Sequence, residues 1–339
     1  IGAHAFYYCT GLTGPLTLPQ GLREIGDAAF YHCAGFTGDL TIPDSVTALG
    51  WRAFFECSGF NGALTLGKGL TALSDEVFQD CTGFTSLTLS PGLTEIGDYA
   101  FSGCDGLTGD LTIPDSVTAL GSRAFSDCSG FDGALTLGKG LTSIGDYAFS
   151  SCRGFASVTL SEGLTSIGKY AFSKCFGLTG PLTLPRSLTE IGDAAFQSCS
   201  GLSGALTLPE GLTKLGPGAF SGCNGLTGTL VLPQGLIEIS NSAFSRCSGF
   251  TSLTLPQGLQ KIGRYAFQDC TGLTGSLTLP QGLREIGYYA FSGCDGLTGA
   301  LTLPQGLTAL GEYAFSDCSG FAFLTLPDTL SVIGDDAFS

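Results

Sequence analysis

The chain has 339 residues, 43% of them apolar and only 13% charged, enough apolar material to bury a continuous core. Its formal net charge of −15 disfavours nucleic acids and anionic membrane surfaces, whose phosphates an acidic protein repels. No apolar run approaches the about eighteen residues needed for a membrane-spanning helix, and most of the 53 glycines fall at fixed spacings, which reads as turns rather than disorder.

The spacing belongs to one short unit recurring from end to end. Residues 111–128 show it: Leu111-Thr112-Ile113-Pro114, then Val117, Leu120-Gly121, Ala124-Phe125 and Cys128. One cysteine marks each repeat, at Cys9, Cys33, Cys57, Cys81, Cys104, Cys128, Cys152, Cys175, Cys199, Cys223, Cys247, Cys270, Cys294 and Cys318, in steps of 24 residues with three of 23. A fixed period of this size is the signature of a solenoid. That overrides the several domains that length alone suggests and predicts one elongated domain over residues 1–339, expected to be part of a longer protein because it enters and leaves in mid-repeat.

In chain order, each repeat opens on an alternating Leu-Thr-Leu, as at Leu16-Thr17-Leu18 and Leu64-Thr65-Leu66, which predicts a short strand with two apolar side chains inward and the threonine outward. Proline follows in most repeats, at Pro19, Pro114 and Pro280 for example, and ends the strand because it has no N–H for the ladder. Gly67, Ser90, Gly138 and Ser161 replace it in four. A turn then leads to Leu-x-x-Ile-Gly, where Leu22 and Ile25 suit a second short strand and Gly26 or Gly97 is expected to let the chain turn sharply. Ala-Phe-x-x-Cys spans one helical turn at most, so a turn or 3₁₀ piece is expected. Cys-x-Gly returns the chain to the next strand.

Stacked at about 4.8 Å per repeat, the strands form parallel sheets, and fourteen repeats reach roughly 65 Å. The shorter repeats lack one residue just before the strand, at 83–87, 154–158, 249–253 and 320–324, where a change of curvature is expected. Residues 38–70 and 109–141 match closely at an offset of 71, which is 24 + 24 + 23 and points to duplication in blocks of three.

The run Leu-x-x-Ile-Gly-x-x-Ala-Phe-x-x-Cys, with the preceding Leu-x-Leu-Pro, resembles the BspA-like bacterial leucine-rich repeats over essentially the whole chain. The resemblance implies a leucine-rich repeat solenoid: a β-rich, right-handed coil with parallel sheets of short strands and 3₁₀ or turn segments, about fourteen turns of 23–24 residues. It also implies a secreted or cell-surface protein, an adhesin or matrix binder, with no catalytic residues to carry over. The 24-residue turn with its extra glycine departs from that family, as do Ser74, Ser240 and Val77 in single turns.

Three columns are candidates for chemistry. The cysteines are in phase, so neighbouring Cβ atoms lie about 4.8 Å apart, whereas a disulfide needs about 3.8 Å. A buried ladder of free thiols is expected. No Cys-x-x-Cys occurs and the two histidines, His4 and His32, stand alone, so neither a metal nor a cofactor is expected. The threonines Thr17, Thr41, Thr65, Thr88, Thr112, Thr136, Thr159, Thr183, Thr207, Thr254, Thr278, Thr302 and Thr325 form an outward column broken only by Val231. Stacked β-branched residues on a solvated strand account for it; a flat array for a glycan, a protein or ice is the functional alternative. Tyrosines follow Ile-Gly at Tyr99, Tyr147 and Tyr170 and thicken at Tyr265, Tyr288, Tyr289 and Tyr313. They read either as a partly buried cover or as an interface. Trp51 with Arg52, Phe54 and Phe55 departs from the repeat and suggests a local contact, and Asp39, Asp44, Asp110 and Asp115 recur without the register of a calcium column.

These observations predict a non-enzymatic binding protein, extracellular or on the cell surface, acting in adhesion through a protein or glycan ligand. The alternative is a structural protein that self-associates end to end through uncapped ends into filaments or a surface layer. The candidate binding surface is the threonine column together with Tyr265, Tyr288, Tyr289 and Tyr313.

Overall fold

The computed structural model describes residues 1–339, which fall into two compact units, Ile1–Leu178 and Thr179–Ser339. Each is a β-solenoid of short parallel strands with no α-helix. Each repeat is one rung with three arcs: a threonine arc, an isoleucine arc and a phenylalanine–cysteine arc.

In the first unit the threonine arc builds two parallel sheets. Leu40–Thr41, Ala63–Thr65 and Ser86–Thr88 form one, with Thr41 opposite Thr65 and Thr65 opposite Thr88. Leu111–Thr112, Ala134–Thr136 and Ser157–Thr159 form the other in the same register. The second unit repeats the arrangement with Gly204–Thr207, Leu226–Val231 and Phe250–Thr254, and then with Gly299–Thr302 and Phe321–Thr325. Each three-stranded sheet of the threonine arc ends on a shortened rung, so the sequence blocks of three are also sheet blocks of three in that arc.

The isoleucine arc does not break there. Ala72–Leu73, Glu95–Ile96 and Ala119–Leu120 pair in register across the boundary between the first two threonine sheets. In the second unit Glu238–Ile239, Lys261–Ile262, Glu285–Ile286, Ala309–Leu310 and Val332–Ile333 form one five-stranded sheet. The missing residue lies in the threonine arc, and only that arc loses its pairing.

The third arc is a run of hydrogen-bonded turns. Neither an α-helix nor a 3₁₀ segment forms, so of the two expected forms the structure adopts the turn. Its backbone donors alternate in direction. In the rung ending at Cys128, the N–H groups of Arg123, Phe125 and Asp127 donate to Asp146, Ala148 and Ser150 of the next rung, each at 2.8 Å. Those of Ala124, Ser126 and Cys128 close turns onto Gly121, Arg123 and Phe125. Every second donor stitches rungs together, so an irregular-looking segment satisfies its backbone as fully as a sheet would.

That alternation requires left-handed backbone twice per rung. Arg123 has φ 55° and Asp127 φ 60°, and the equivalent positions throughout the chain are also positive. Most are not glycine. The glycine of Ile-Gly has a different reason from the expected sharp turn: a Cβ on Gly97 would lie 2.6 Å from Asp75 Oδ1 and 2.7 Å from the Leu73 carbonyl oxygen. Close approach of one rung to the previous one excludes a side chain there.

The core is the sum of in-register columns. In the first unit Phe6, Phe30, Phe54, Phe78, Phe101, Phe125, Phe149 and Phe172 stack ring on ring at 4.9–5.6 Å. In the second the stack runs from Phe196 to Phe338 at 5.2–5.8 Å. Phe54 belongs to this column, so it is a regular core residue and not part of the departure at Trp51. Proline also has a second effect beyond ending the strand: the Pro114 and Pro280 carbonyls accept from the Val117 and Leu283 N–H groups, closing the turn that follows.

Candidate functional site

The cysteine column is chemically quiet. All fourteen cysteines are free and all but Cys9 are buried. Each thiol in the interior donates to the phenylalanine carbonyl of the preceding rung, for example Cys57 Sγ to the Phe30 oxygen at 3.0 Å and Cys247 Sγ to the Phe220 oxygen at 3.1 Å. The same Phe30 oxygen accepts the Cys33 N–H at 3.1 Å. Burial pushes the thiols of Cys175, Cys223 and Cys270 up to about 12 and those of Cys81, Cys128 and Cys152 well above the ordinary value. Protonated and enclosed, they are neither nucleophiles nor metal ligands at neutral pH. Sequence periodicity identified the ladder but not the hydrogen bond that orients each thiol.

The aspartates also have a structural task. The Asp39 and Asp110 Oδ1 atoms accept the N–H groups of Ala63 and Ala134 in the next rung, both at 2.7 Å, and Asp44 and Asp115 accept those of Lys68 and Lys139 at 2.9 Å. The aspartate after Ile-Gly does the same, Asp98 taking the Ser122 N–H at 2.6 Å. Of the histidines, His32 Nδ1 lies 2.6 Å from Glu56 Oε2.

The threonine column divides into groups. Thr41, Thr65 and Thr88, then Thr112, Thr136 and Thr159, lie side by side on paired strands, all exposed except Thr65 and Thr136, which are half-buried. In the second unit Val231, 49% exposed, sits between Thr207 and Thr254, and Thr302 pairs with Thr325. Thr17, Thr183 and Thr278 are exposed but outside any strand. Pro15 and Pro181 precede the first two and remove a ladder donor.

The tyrosines are more closely gathered. Tyr99, Tyr147, Tyr170, Tyr265, Tyr289 and Tyr313 all occupy the first left-handed position of the third arc, with φ between 53° and 59°. That conformation is rare for bulky residues and aligns the rings of successive rungs along the surface. In the first unit Tyr147 stacks on Tyr170 at 4.8 Å, and the Arg123 guanidinium carbon lies 4.6 Å from the Tyr147 ring centre and 5.5 Å from that of Tyr99. In the second, Tyr289 stacks on Tyr265 at 5.6 Å and on Tyr313 at 4.6 Å. Tyr288, one residue out of the column, stands edge-on to all three, at 5.3 Å from Tyr265, 4.3 Å from Tyr289 and 6.1 Å from Tyr313. All four are half-buried.

A groove of about 520 Å³ opens beside this cluster, between Tyr265, Tyr288, Glu285, Glu312, Arg264 and Val332. A hydrogen bond to Asp336 holds the Tyr313 phenol above the ordinary tyrosine range, and desolvation does the same for Tyr265 and Tyr288. The phenols therefore remain neutral donors at physiological pH. Trp51 forms a separate local cluster. The Arg52 guanidinium lies 4.1 Å from its ring centre and 5.1 Å from that of Phe55, and the Arg52 Nε–H donates to Glu76 Oε2 at 2.6 Å.

Comparison with known proteins gives the same architecture. The BspA type leucine rich repeat region (6 copies) matches over three stretches, residues 1–132, 133–251 and 237–339. A leucine-rich repeat protein from Bacteroides ovatus is similar at 26% identity over 95% of this chain and 91% of that one, with a TM-score of 0.70. A leucine rich cell surface protein from Faecalibacterium prausnitzii is similar at 23% identity over 94% of this chain and 80% of that one, with a TM-score of 0.50. A leucine-rich repeat protein of T. pallidum shares 30% identity over 48% of this chain and 77% of its own, with a TM-score of 0.45. No curated protein matches the sequence.

Proposed function

The chain belongs to the BspA-type leucine-rich repeat family, and on that premise we propose that it is a non-enzymatic protein of the cell surface or extracellular space, acting in adhesion by binding another protein or a glycan. The observation that carries this reading is the second unit's tyrosine cluster. Four half-buried rings, three of them on left-handed backbone, are gathered beside an open groove. Tyrosine offers apolar area and a polar tip at little entropic cost, the combination that recognition surfaces use. Pre-ordering by the solenoid reduces what binding must still immobilise.

The surface setting is supported by the Faecalibacterium prausnitzii protein of the same fold, which is described as a cell surface protein. The thiols fit it as well. A column of free cysteines would scramble in an oxidising compartment if exposed, whereas buried, protonated thiols exchange slowly. The test is a binding screen of the whole chain against extracellular matrix proteins and a glycan array, repeated with Tyr288→Ala. Saturable binding that the substitution weakens is expected. A blank screen accompanied by self-association would overturn the reading in favour of a structural role.

A further inference from the structure

We propose that the groove beside Tyr265 and Tyr288 takes an arginine side chain from a basic segment of a protein partner. This deepens the binding reading above and rests on it.

The first unit shows what this surface does with a guanidinium. Tyr99, Arg123, Tyr147 and Tyr170 are successive residues of the left-handed column, and Arg123 lies over the faces of the two tyrosines that flank it. At Trp51 the solution recurs with a carboxylate added: Arg52 lies over Trp51 and Phe55 and donates to Glu76. Aromatic faces therefore hold an arginine at both places, at Arg52 with a carboxylate from the next rung as well.

The second unit carries the same aromatic and acidic parts, with no arginine in the left-handed column of those three rungs. Tyr265, Tyr289 and Tyr313 occupy the column on three successive rungs, and Tyr288 stands across them. Glu285 and Glu312 contribute two carboxylates to the groove, against one cation, Arg264. Glu285 also has Lys261 at 3.5 Å, which leaves Glu312 as the principal acceptor for an incoming guanidinium. The chain's overall charge of −15 favours approach of a basic partner. A planar guanidinium can stack on a ring and donate in its own plane to a carboxylate, whereas a lysine ammonium supplies a point charge without that fit.

The test is fluorescence anisotropy of labelled peptides against the whole chain at physiological salt. Repeats of Gly-Arg are compared with Gly-Lys and with Gly-citrulline, which keeps the planar shape and loses the charge. The arginine peptide is expected to bind about 5-fold or more tighter than the lysine peptide, and the citrulline peptide to show no saturable binding. Tyr288→Ala should weaken the arginine peptide about 10-fold and Glu312→Gln about 5-fold, whereas Ser129→Ala, exposed in the first unit, should leave it unchanged. Unaltered thermal unfolding of each variant separates loss of the site from loss of fold.

Equal binding of the arginine and lysine peptides, indifference to Tyr288→Ala and Glu312→Gln, or no binding at all would overturn the assignment. Displacement by a neutral oligosaccharide but not by the arginine peptide would reassign the groove to glycans. If the broader screen finds a ligand that maps elsewhere, the arginine site fails and the binding reading stands.

Discussion

At the residue scale, the departure from ordinary chemistry is the backbone of the third arc. Ser242 sits at φ 56° on a half-buried turn, a conformation that costs a non-glycine residue about 1–2 kcal/mol. Glycine would relieve that cost and give back about 0.5–1 kcal/mol in chain entropy. Ser242→Gly is therefore expected to stabilise the protein by about 0.5–1 kcal/mol, read as a higher urea midpoint with unchanged slope. None of this was visible in the sequence, because tyrosine, serine, arginine and aspartate in those columns do not advertise positive φ. Conversely, the glycine that looked like a turn residue proved to be a clearance residue. Gly97 is fixed by the atoms of the previous rung, not by its own dihedral angles.

At the element scale, rungs adhere through side-chain acceptors as well as through strands. Asp98 Oδ1 accepts the Ser122 N–H, and its loss leaves a backbone donor without its partner. Asp98→Ala should cost about 1–2 kcal/mol and Asp98→Asn much less, since the amide oxygen can take the same place. Equilibrium unfolding of the two variants distinguishes a hydrogen-bond effect from a charge effect. The phenylalanine column is more demanding. Phe125 is fully buried, stacked on Phe101 at 5.0 Å and Phe149 at 5.6 Å, so Phe125→Ala should cost about 3–5 kcal/mol by the same measurement. The strand of the threonine arc and its register followed from Leu-Thr-Leu alone. The division of that arc into blocks did not, because one missing residue marks a shortened rung without saying which arc loses its pairing.

At the scale of the molecule, the thirteen buried thiols act together. For twelve of them burial holds the folded pKa above the ordinary cysteine value, so the folded state keeps protons that the unfolded chain releases. Stability from this source is complete below the unfolded pKa of about 8.5 and is lost as pH rises through the folded values. Between the unfolded and the folded value each thiol withdraws about 1.4 kcal/mol per pH unit. With so many acting at once, cooperative alkaline unfolding is expected within about one to two units above pH 8.5, followed by circular dichroism under reducing conditions. At pH 8 the native protein should resist iodoacetamide except at Cys9, and all fourteen should react in urea.

The sequence by itself determined the period, the solenoid, the parallel strands, the free thiols and the columns from which a site could be built. It could do so because in-phase repetition places like atoms over like atoms whatever the detail of each turn. Only the tertiary structure decided which tyrosines converge, where the groove opens beside them, and that Arg123 already lies between two members of the column. Those outcomes depend on partners some 24 residues away meeting across a rung boundary, with backbone conformations that their residue types do not reveal.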